Sequence, residues 1–256
     1  VTTLETDIAI TRDGVLVISH DRSLNGDITR GPDGQFLNGK GPVIVEQSFQ
    51  ALQRYDVGRL RPGSKYATDF SEQQPVDGAL IPKLSDLFEL VRKSGNDKVR
   101  FALETKLAPA APQETVAPDV FARSLITAIR QAGMQHRTSI ISFDWRTLQV
   151  VQKEAPEILT VYLTIESQNF NNIGLDPSIA SPWTAGFRLN DHGGSLPRMI
   201  KAAGGHTWSA FHRNLTAALV KEAQALGLKV LAWTVNSPEQ IAKAIAPANY
   251  LNQAVT

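Results

Sequence analysis

Cysteine is absent from the 256 residues of this chain. Its absence excludes disulfide bonds, thiol catalysis and cysteine-ligated zinc sites. No apolar run approaches the ~18 residues that a membrane-spanning helix needs. The chain also has no large excess of positive or negative charge, because 26 Lys and Arg residues balance 25 Asp and Glu residues. This balance does not indicate nucleic acid or an anionic membrane as a partner. With 42% hydrophobic residues, the chain can bury a full core as one domain or two.

Two acidic residues lie two positions apart in the opening stretch "ETDIAITRDGVLVISHD", residues 5–21. The β-branched run and the turn signal "TRDG" predict a strand, a hairpin turn and a second strand. Residues i and i+2 of a strand point to the same face, so Glu5 and Asp7 should lie side by side. A buried pair of this kind raises one pKa or binds a cation, whereas an exposed strand edge would simply carry two solvated acids.

A third acid occupies a similar position in "RFALETK", residues 100–106. Glu104 and Lys106 share one face of a predicted strand by the same spacing argument. Taken alone, the two residues could form no more than a partly exposed salt bridge.

Strand and helix patterns alternate along most of the chain. The strands are predicted near residues 3–9, 99–105, 138–143, 159–164, 206–211 and 229–235. Helices are predicted between them, for example "IPKLSDLFELVRKSGN" with Ser85 as its N-cap. This alternation is typical of a parallel sheet with crossover helices, and the length favours a barrel over an open doubly wound sheet. No Gly-x-Gly-x-x-Gly follows a strand, which weakens a dinucleotide-binding interpretation.

Residues 22–80 interrupt the alternation, since they are rich in Gly, Pro, Asp and Asn. A second polar stretch runs from "SQNFNNIGLDPS" to "NDHGGS". Long loops in a compact domain are usually functional, and in a barrel they belong at the carboxyl ends of the strands. We therefore expect residues 22–80 to be an excursion near the mouth of a site.

Carboxyl ends of barrel strands converge on one mouth, so the three acids and Lys106 should meet there. Three carboxylates against one ammonium group would carry about −3 against +1, which calls for a hard divalent cation. Ligation by oxygen alone favours Mg²⁺ or Ca²⁺ over Zn²⁺. Open positions on such an ion would suit an anionic, oxygen-rich substrate.

The segments "ETDIAITRDGVLVISHD", "IPKL", "FALETK", "ISFDWRTL" and "GLKVLAWTVN", in this order, resemble the glycerophosphodiester phosphodiesterases. The resemblance runs from about residue 3 to about residue 245. It implies an α/β fold, a TIM-type (β/α)8 barrel, formed by residues 1–256 as a single domain with the inserted loop region 22–80. The stretch from "DGQFL" to "QQPVDGALIPKL" further resembles the long-insertion bacterial branch, which implies a periplasmic or secreted protein.

The resemblance also assigns roles to seven residues. They are Glu5, Asp7 and Glu104 as ligands of a divalent cation, His20 as general acid or base, Lys106 as a phosphate contact, and Phe143 and Trp233 as the pocket lining.

Two segments of the family pattern have no counterpart in these residues. One is the His-Arg-Gly motif of the first strand, which supplies a second histidine and an arginine, and the other is the last strand, because "APANYLNQAVT" does not resemble it. We therefore expect the barrel to lack its first and last strands here, either because the protein is longer or because it is a truncated barrel with open edges. Residues 1–256 alone should then be feeble or inactive.

The function that follows is metal-dependent hydrolysis of small glycerophosphodiesters to an alcohol and glycerol phosphate. Three alternatives stay open: a relative that cleaves lysophospholipid head groups, an inactive or binding-only barrel, and a glycosidase, which also uses paired carboxylates. The missing histidine favours the binding-only barrel, whereas three acids with Lys106 and a His-Asp pair fit a glycosidase poorly.

Overall fold

The computed structural model describes residues 2–245 and 253–254, and the chain divides into two compact units, Val1–Arg137 and Thr138–Thr256. The strands of the first unit are Thr3–Ile10 (β1), Leu16–Ile18 (β2), Ser23–Asn25 (β3), Lys40–Val43 (β4) and Arg100–Thr105 (β5). Its α-helices are Phe49–Leu52 (α1), Lys65–Asp69 (α2), Leu84–Lys93 (α3) and Pro118–Gln131 (α4).

β1 is the strand around which the first unit is arranged. It pairs antiparallel with β2, and the turn between them closes through the Thr11 N–H, which donates to the Val15 carbonyl oxygen at 3.0 Å. Gly14 adopts φ +78° in this turn, a conformation that glycine accepts without strain. On its other side β1 pairs parallel with β5. The predicted hairpin is therefore present, and the parallel pairing of β1 with β5 agrees with the predicted parallel sheet.

The excursion, residues 22–80, contains only short elements. β3 and β4 form a two-stranded antiparallel ribbon, and α1 and α2 each make about one turn. The excursion packs on the β1–β2 hairpin through one cluster of buried side chains. Its members are Ala9, Val17, Leu24, Ile44, Leu52 and Ile81. Burying them at the hairpin explains why a segment so poor in regular structure keeps a defined position.

The second unit repeats strand and helix. Its strands are Thr138–Ser142 (β6), Leu159–Thr164 (β7), Thr207–Phe211 (β8), Lys229–Trp233 (β9) and Gln253–Ala254 (β10). Its α-helices are Trp145–Glu154 (α5), Leu196–Ala202 (α6), Ala217–Ala225 (α7) and Pro238–Ile245 (α8). The strands pair parallel in the order β6-β7-β8-β9-β10. The four longer strands match the predicted ones to within two residues.

β10 corrects the expectation that the last strand is missing. Gln253 and Ala254 pair parallel with Leu231 and Ala232 of β9. So short a strand is held by backbone hydrogen bonds and leaves little trace in the side-chain pattern, which is why sequence resemblance did not reveal it.

Each unit has its own buried side chains. In the first, Phe88 of α3 meets Phe101 of β5 edge to face, with ring centroids 5.0 Å apart. In the second, Trp145 of α5 contacts Tyr162 of β7 at 4.9 Å, and the Tyr162 hydroxyl donates to the Ala203 carbonyl oxygen at 2.6 Å. Within residues 2–245 and 253–254, no helix combines the length and apolar character needed to cross a bilayer.

Candidate active site

β1 and β5 bring three acidic side chains together. Asp7 lies opposite Glu104 in the parallel register, and Glu5 lies two residues earlier on the same face of β1. One carboxylate oxygen from each of Glu5, Asp7 and Glu104 lies within 4.8 Å of the other two. In the part of the chain that the structure describes, this is the one group of three acidic or histidine side chains close enough to share a metal ion.

Lys106 lies among these acids. Its Nζ is 2.8 Å from Asp7 Oδ1 and 2.7 Å from Glu104 Oε1. The side chains of Lys106 and Glu104 are only 12% and 10% exposed, so the pair is not the partly exposed salt bridge that the sequence left open. A buried ion pair needs further partners for its polar atoms, and Asp7 supplies one here.

The ionisation of the group reflects burial and mutual repulsion. Desolvation, followed by repulsion from Asp7 and Glu104, raises the pKa of Glu5 to about 7. Desolvation also raises the pKa of Glu104, although Lys106 opposes it. For Lys106, burial acts to lower the pKa, but Glu104 and Asp7 outweigh it and raise the pKa above its ordinary value. One ammonium group thus leaves the three carboxylates undercompensated, which is the condition that a bound cation would relieve.

The donor set fits a hard divalent cation. All three side chains offer carboxylate oxygens, the ligands that Mg²⁺ and Ca²⁺ prefer. The acids come from two neighbouring parallel strands, and Glu5 keeps contact with solvent while Glu104 is buried. The site can therefore hold an ion on one side and leave positions open on the other.

His20 follows β2, on the same hairpin as Glu5 and Asp7. The Ser19 N–H donates to the Asp7 carbonyl oxygen at 2.9 Å, which ties the end of the hairpin to β1. His20 Nδ1 lies 3.0 Å from Asp21 Oδ1, and this hydrogen bond is the main cause that raises the pKa of His20. The same bond lowers the pKa of Asp21. The exposed imidazole is therefore available for proton transfer, with Asp21 behind it.

Phe143 and Trp233 belong to the second unit, where they follow β6 and end β9. Their rings meet edge to face at 5.4 Å, so the structure brings this predicted pair together. Phe170 contacts Phe143 at 5.3 Å, Phe211 contacts Trp233 at 5.5 Å, and Trp183 contacts Phe170 at 5.2 Å. All five side chains are half-buried. Sequence reasoning assigned no pocket role to Phe170, Trp183 or Phe211, although Phe211 ends a predicted strand and could have been noticed on that ground.

Comparison with known proteins decides the family. The model of the glycerophosphoryl diester phosphodiesterase family matches residues 1–247. The chain belongs to this family. Glycerophosphoryl diester phosphodiesterases are hydrolases, and the resemblance stated from the sequence motifs is thereby confirmed, apart from the long-insertion branch, which stays a prediction.

Individual proteins similar to this chain support the family assignment. A glycerophosphodiester phosphodiesterase of Caldanaerobacter subterraneus subsp. tengcongensis is 24% identical over 248 residues, or 94% of this chain and 77% of that protein. A crystal structure from Silicibacter pomeroyi, assigned to the glycerophosphoryl diester phosphodiesterases, is similar with a TM-score of 0.85 and 30% identity over 100% of this chain and 80% of that one. A phosphodiesterase of Oleispira antarctica matches with a TM-score of 0.66 and 19% identity, covering 100% and 81%.

Family membership also confirms the predicted fold class, the α/β TIM barrel. The parallel strands and crossover helices of each unit are the elements from which this class is built. The single domain formed by residues 1–256 stays a prediction.

Proposed function

We propose that this protein hydrolyses glycerophosphodiesters to an alcohol and glycerol phosphate, with Mg²⁺ or Ca²⁺ held by Glu5, Asp7 and Glu104. The observation that carries the proposal is the convergence of these carboxylates around Lys106 within one unit. Glu5 and Asp7 lie on the hairpin that also carries His20, and Glu104 joins them from β5. The Oleispira antarctica phosphodiesterase was crystallised with the product sn-glycerol-3-phosphate, which supports the same reaction for its relatives.

Each side chain has a role in this proposal. A bound divalent cation would supply positive charge to the phosphate oxygens. Lys106, fixed by its two carboxylate contacts, presents an ammonium group that offsets the charge developing on phosphate. His20 holds a proton for the departing alkoxide, because Asp21 raises its pKa. Phe143 and Trp233 keep their proposed part as the pocket lining, which rests on the family resemblance.

The test is a hydrolysis assay with glycerophosphocholine and glycerophosphoethanolamine as substrates, measuring release of glycerol 3-phosphate with Mg²⁺, with Ca²⁺ and with a chelator. We expect slow release from residues 1–256, and we expect this release to depend on the metal. Glu104→Gln should lower both metal affinity and turnover, because it removes a ligand charge but keeps the side-chain shape.

His20→Ala should lower kcat by about 10²–10⁴-fold, the usual cost of losing a general acid or base. Metal affinity, measured by calorimetry, should stay near the wild-type value because the imidazole is not a ligand. His136→Ala is a matched control, since His136 lies in a short helical turn before β6 and should leave both quantities unchanged. A His20→Ala enzyme with unchanged kcat would show that another group protonates the alkoxide.

The alternatives predict different results. Metal and phosphate binding without hydrolysis of any diester would identify a binding-only barrel. Faster cleavage of lysophosphatidylcholine than of glycerophosphocholine would identify a lysophospholipid-cleaving relative. We also propose a periplasmic or secreted location, because the sequence resembles that branch of the family, and cell fractionation tests this location directly. Our proposal for the partners does not include nucleic acid.

A further inference from the structure

The imidazole of His20 is held mainly by one neighbour. The side chain is 66% exposed, and the hydrogen bond between Nδ1 and Asp21 Oδ1 is the one that orients it within the described residues. A bond at Nδ1 places the proton of the neutral ring on Nδ1 and leaves Nε2 free to gain or lose the reacting proton. Whatever fixes Asp21 therefore fixes the reactive nitrogen of His20.

Asp21 is itself held at its other oxygen. Asn25 Nδ2 donates to Asp21 Oδ2 at 2.8 Å, and the Ser19 hydroxyl donates to the Asp21 carbonyl oxygen at 2.9 Å. The two carboxylate oxygens of Asp21 thus have separate partners, His20 on one and Asn25 on the other. An amide that holds one oxygen restricts rotation of the carboxylate, so the second oxygen keeps its position against the imidazole.

Asn25 is rigidly placed by the excursion. It ends β3, pairs with Lys40 of β4, and its Oδ1 accepts from the Asp27 N–H at 2.9 Å. The turn that follows is bound by Arg61, whose guanidinium donates to the Gly26 carbonyl oxygen at 3.1 Å and whose N–H donates to the Asp27 carbonyl oxygen at 2.7 Å. The amide of Asn25 is therefore anchored on both sides, as a positioning group needs to be.

We propose that Asn25 is a positioning residue for the phosphodiesterase reaction, acting through Asp21 to hold His20 with Nε2 toward the substrate. The inference rests on the proposed role of His20. It makes the excursion part of the catalytic apparatus, because the ribbon that carries Asn25 orients a residue outside the excursion. The sequence spacing did not indicate a role for Asn25. Its partner, Asp21, was recognised in the sequence only as the second residue of a His-Asp pair.

Asn25→Asp tests this with little change in shape. The new carboxylate can still accept from the Asp27 N–H, but it no longer donates to Asp21 and repels it instead. We expect kcat to fall about 10-fold or more, since misplacing a reacting group by an ångström can cost ~10²-fold, with KM within about 2-fold. Asn96→Asp is the matched control: Asn96 Oδ1 accepts from the N–H groups of Lys98 and Val99 before β5, so the turn survives and kinetics should not change.

A double-mutant cycle separates positioning from general structural damage. In a His20→Ala background, Asn25→Asp should leave the residual rate unchanged, because the group that it positions is gone. An equal fall in both backgrounds, or a wild-type rate for Asn25→Asp alone, overturns the proposal.

Imidazole nitrogen NMR provides a readout that does not need turnover. In ¹⁵N-histidine-labelled protein at a pH where His20 is neutral, the wild type should show the Nδ1-protonated tautomer, and Asn25→Asp should shift it toward the Nε2-protonated form. If His20→Ala keeps full activity, the proposed role of His20 fails, and the tautomer shift alone decides whether Asn25 orients the ring. An unchanged tautomer in Asn25→Asp refutes the inference in either case.

Discussion

At the residue scale, the i, i+2 spacing was the most informative signal in the sequence. Glu5 and Asp7 share a face because strand side chains alternate, and Glu104 joins them because β5 pairs with β1 in a register that sets it opposite Asp7. Spacing predicted the shared faces, but not the register. Nor could it predict that Lys106 contacts Asp7 as well as Glu104, because that contact depends on which strands become neighbours.

The pKa of Glu5 makes a prediction for the metal-free protein. Its folded value of about 7 lies above the ordinary 4.5, so between those values the folded state binds a proton that the unfolded state releases. Stability from this group is therefore complete below about pH 4.5 and lost as pH rises through 7. In chelator, we expect the Tm of the wild type to fall more between pH 5 and pH 8 than the Tm of Glu5→Gln.

Glu114→Gln is the control for this measurement. Its hydrogen bond with Lys40 lowers the pKa of Glu114, so its contribution is lost only as pH falls below the ordinary range. The difference in Tm between Glu114→Gln and the wild type should be the same at pH 5 and pH 8. If the Tm of Glu5→Gln and the Tm of the wild type fell by the same amount between pH 5 and pH 8, this result would contradict the raised pKa of Glu5.

At the element scale, local sequence signals located the helices well, but they placed the N-terminus of α3 at the wrong residue. Thr216 is the N-cap of α7, a position that threonine favours, and its side chain accepts from the Leu219 N–H. The prediction of Ser85 as the N-cap of α3 was wrong, because the helix begins at Leu84 with Lys83 as N-cap. The Asp86 carboxylate accepts from the Lys83 N–H at 2.9 Å, and this side chain stabilises the earlier start.

The excursion depends on a close backbone approach at Gly58. A Cβ there would lie 1.8 Å from the Val76 carbonyl oxygen, and the Val76 N–H donates to the Gly58 carbonyl oxygen at 2.8 Å. Gly58→Ala must push these segments apart, so we expect a loss of about 1–3 kcal/mol in the free energy of unfolding and faster proteolysis within residues 58–80. Denaturant unfolding and limited proteolysis measure the two effects.

Gly31→Ala is the matched control in the same excursion. The nearest atom to a Cβ at Gly31 is the Asp33 Oδ1 at 3.0 Å, the end of a side chain that can move aside. This variant should unfold and be cleaved like the wild type. Equal losses for Gly31→Ala and Gly58→Ala would show that the excursion tolerates no added side chain, and not that the contact with Val76 is special.

At the scale of the whole molecule, the order of the longer strands was predictable, whereas β10 and the contacts of the excursion were not. Alternating patterns predicted the six longer parallel strands to within two residues, because buried strands carry a strong apolar signature. β10 was missed because two backbone-paired residues carry no such signature. The excursion was predicted as a loop from its Gly and Pro content, while the link from Asn25 to His20 depends on folded geometry that composition does not encode.

Metal binding should stabilise the folded chain as a whole. A ligand that binds only the folded state adds about 2.7 kcal/mol at 100 times its Kd, and each kcal/mol corresponds to about 2–4 °C in a protein of this size. We therefore expect saturating Mg²⁺ or Ca²⁺ to raise the Tm by roughly 5–10 °C at pH 8, where Glu5, with its pKa of about 7, is ionised. Glu104→Gln should lose most of this increase, and Glu72→Gln, an exposed acid in the excursion, should keep it. The same metal-induced increase in all three proteins would place the cation away from Glu5, Asp7 and Glu104.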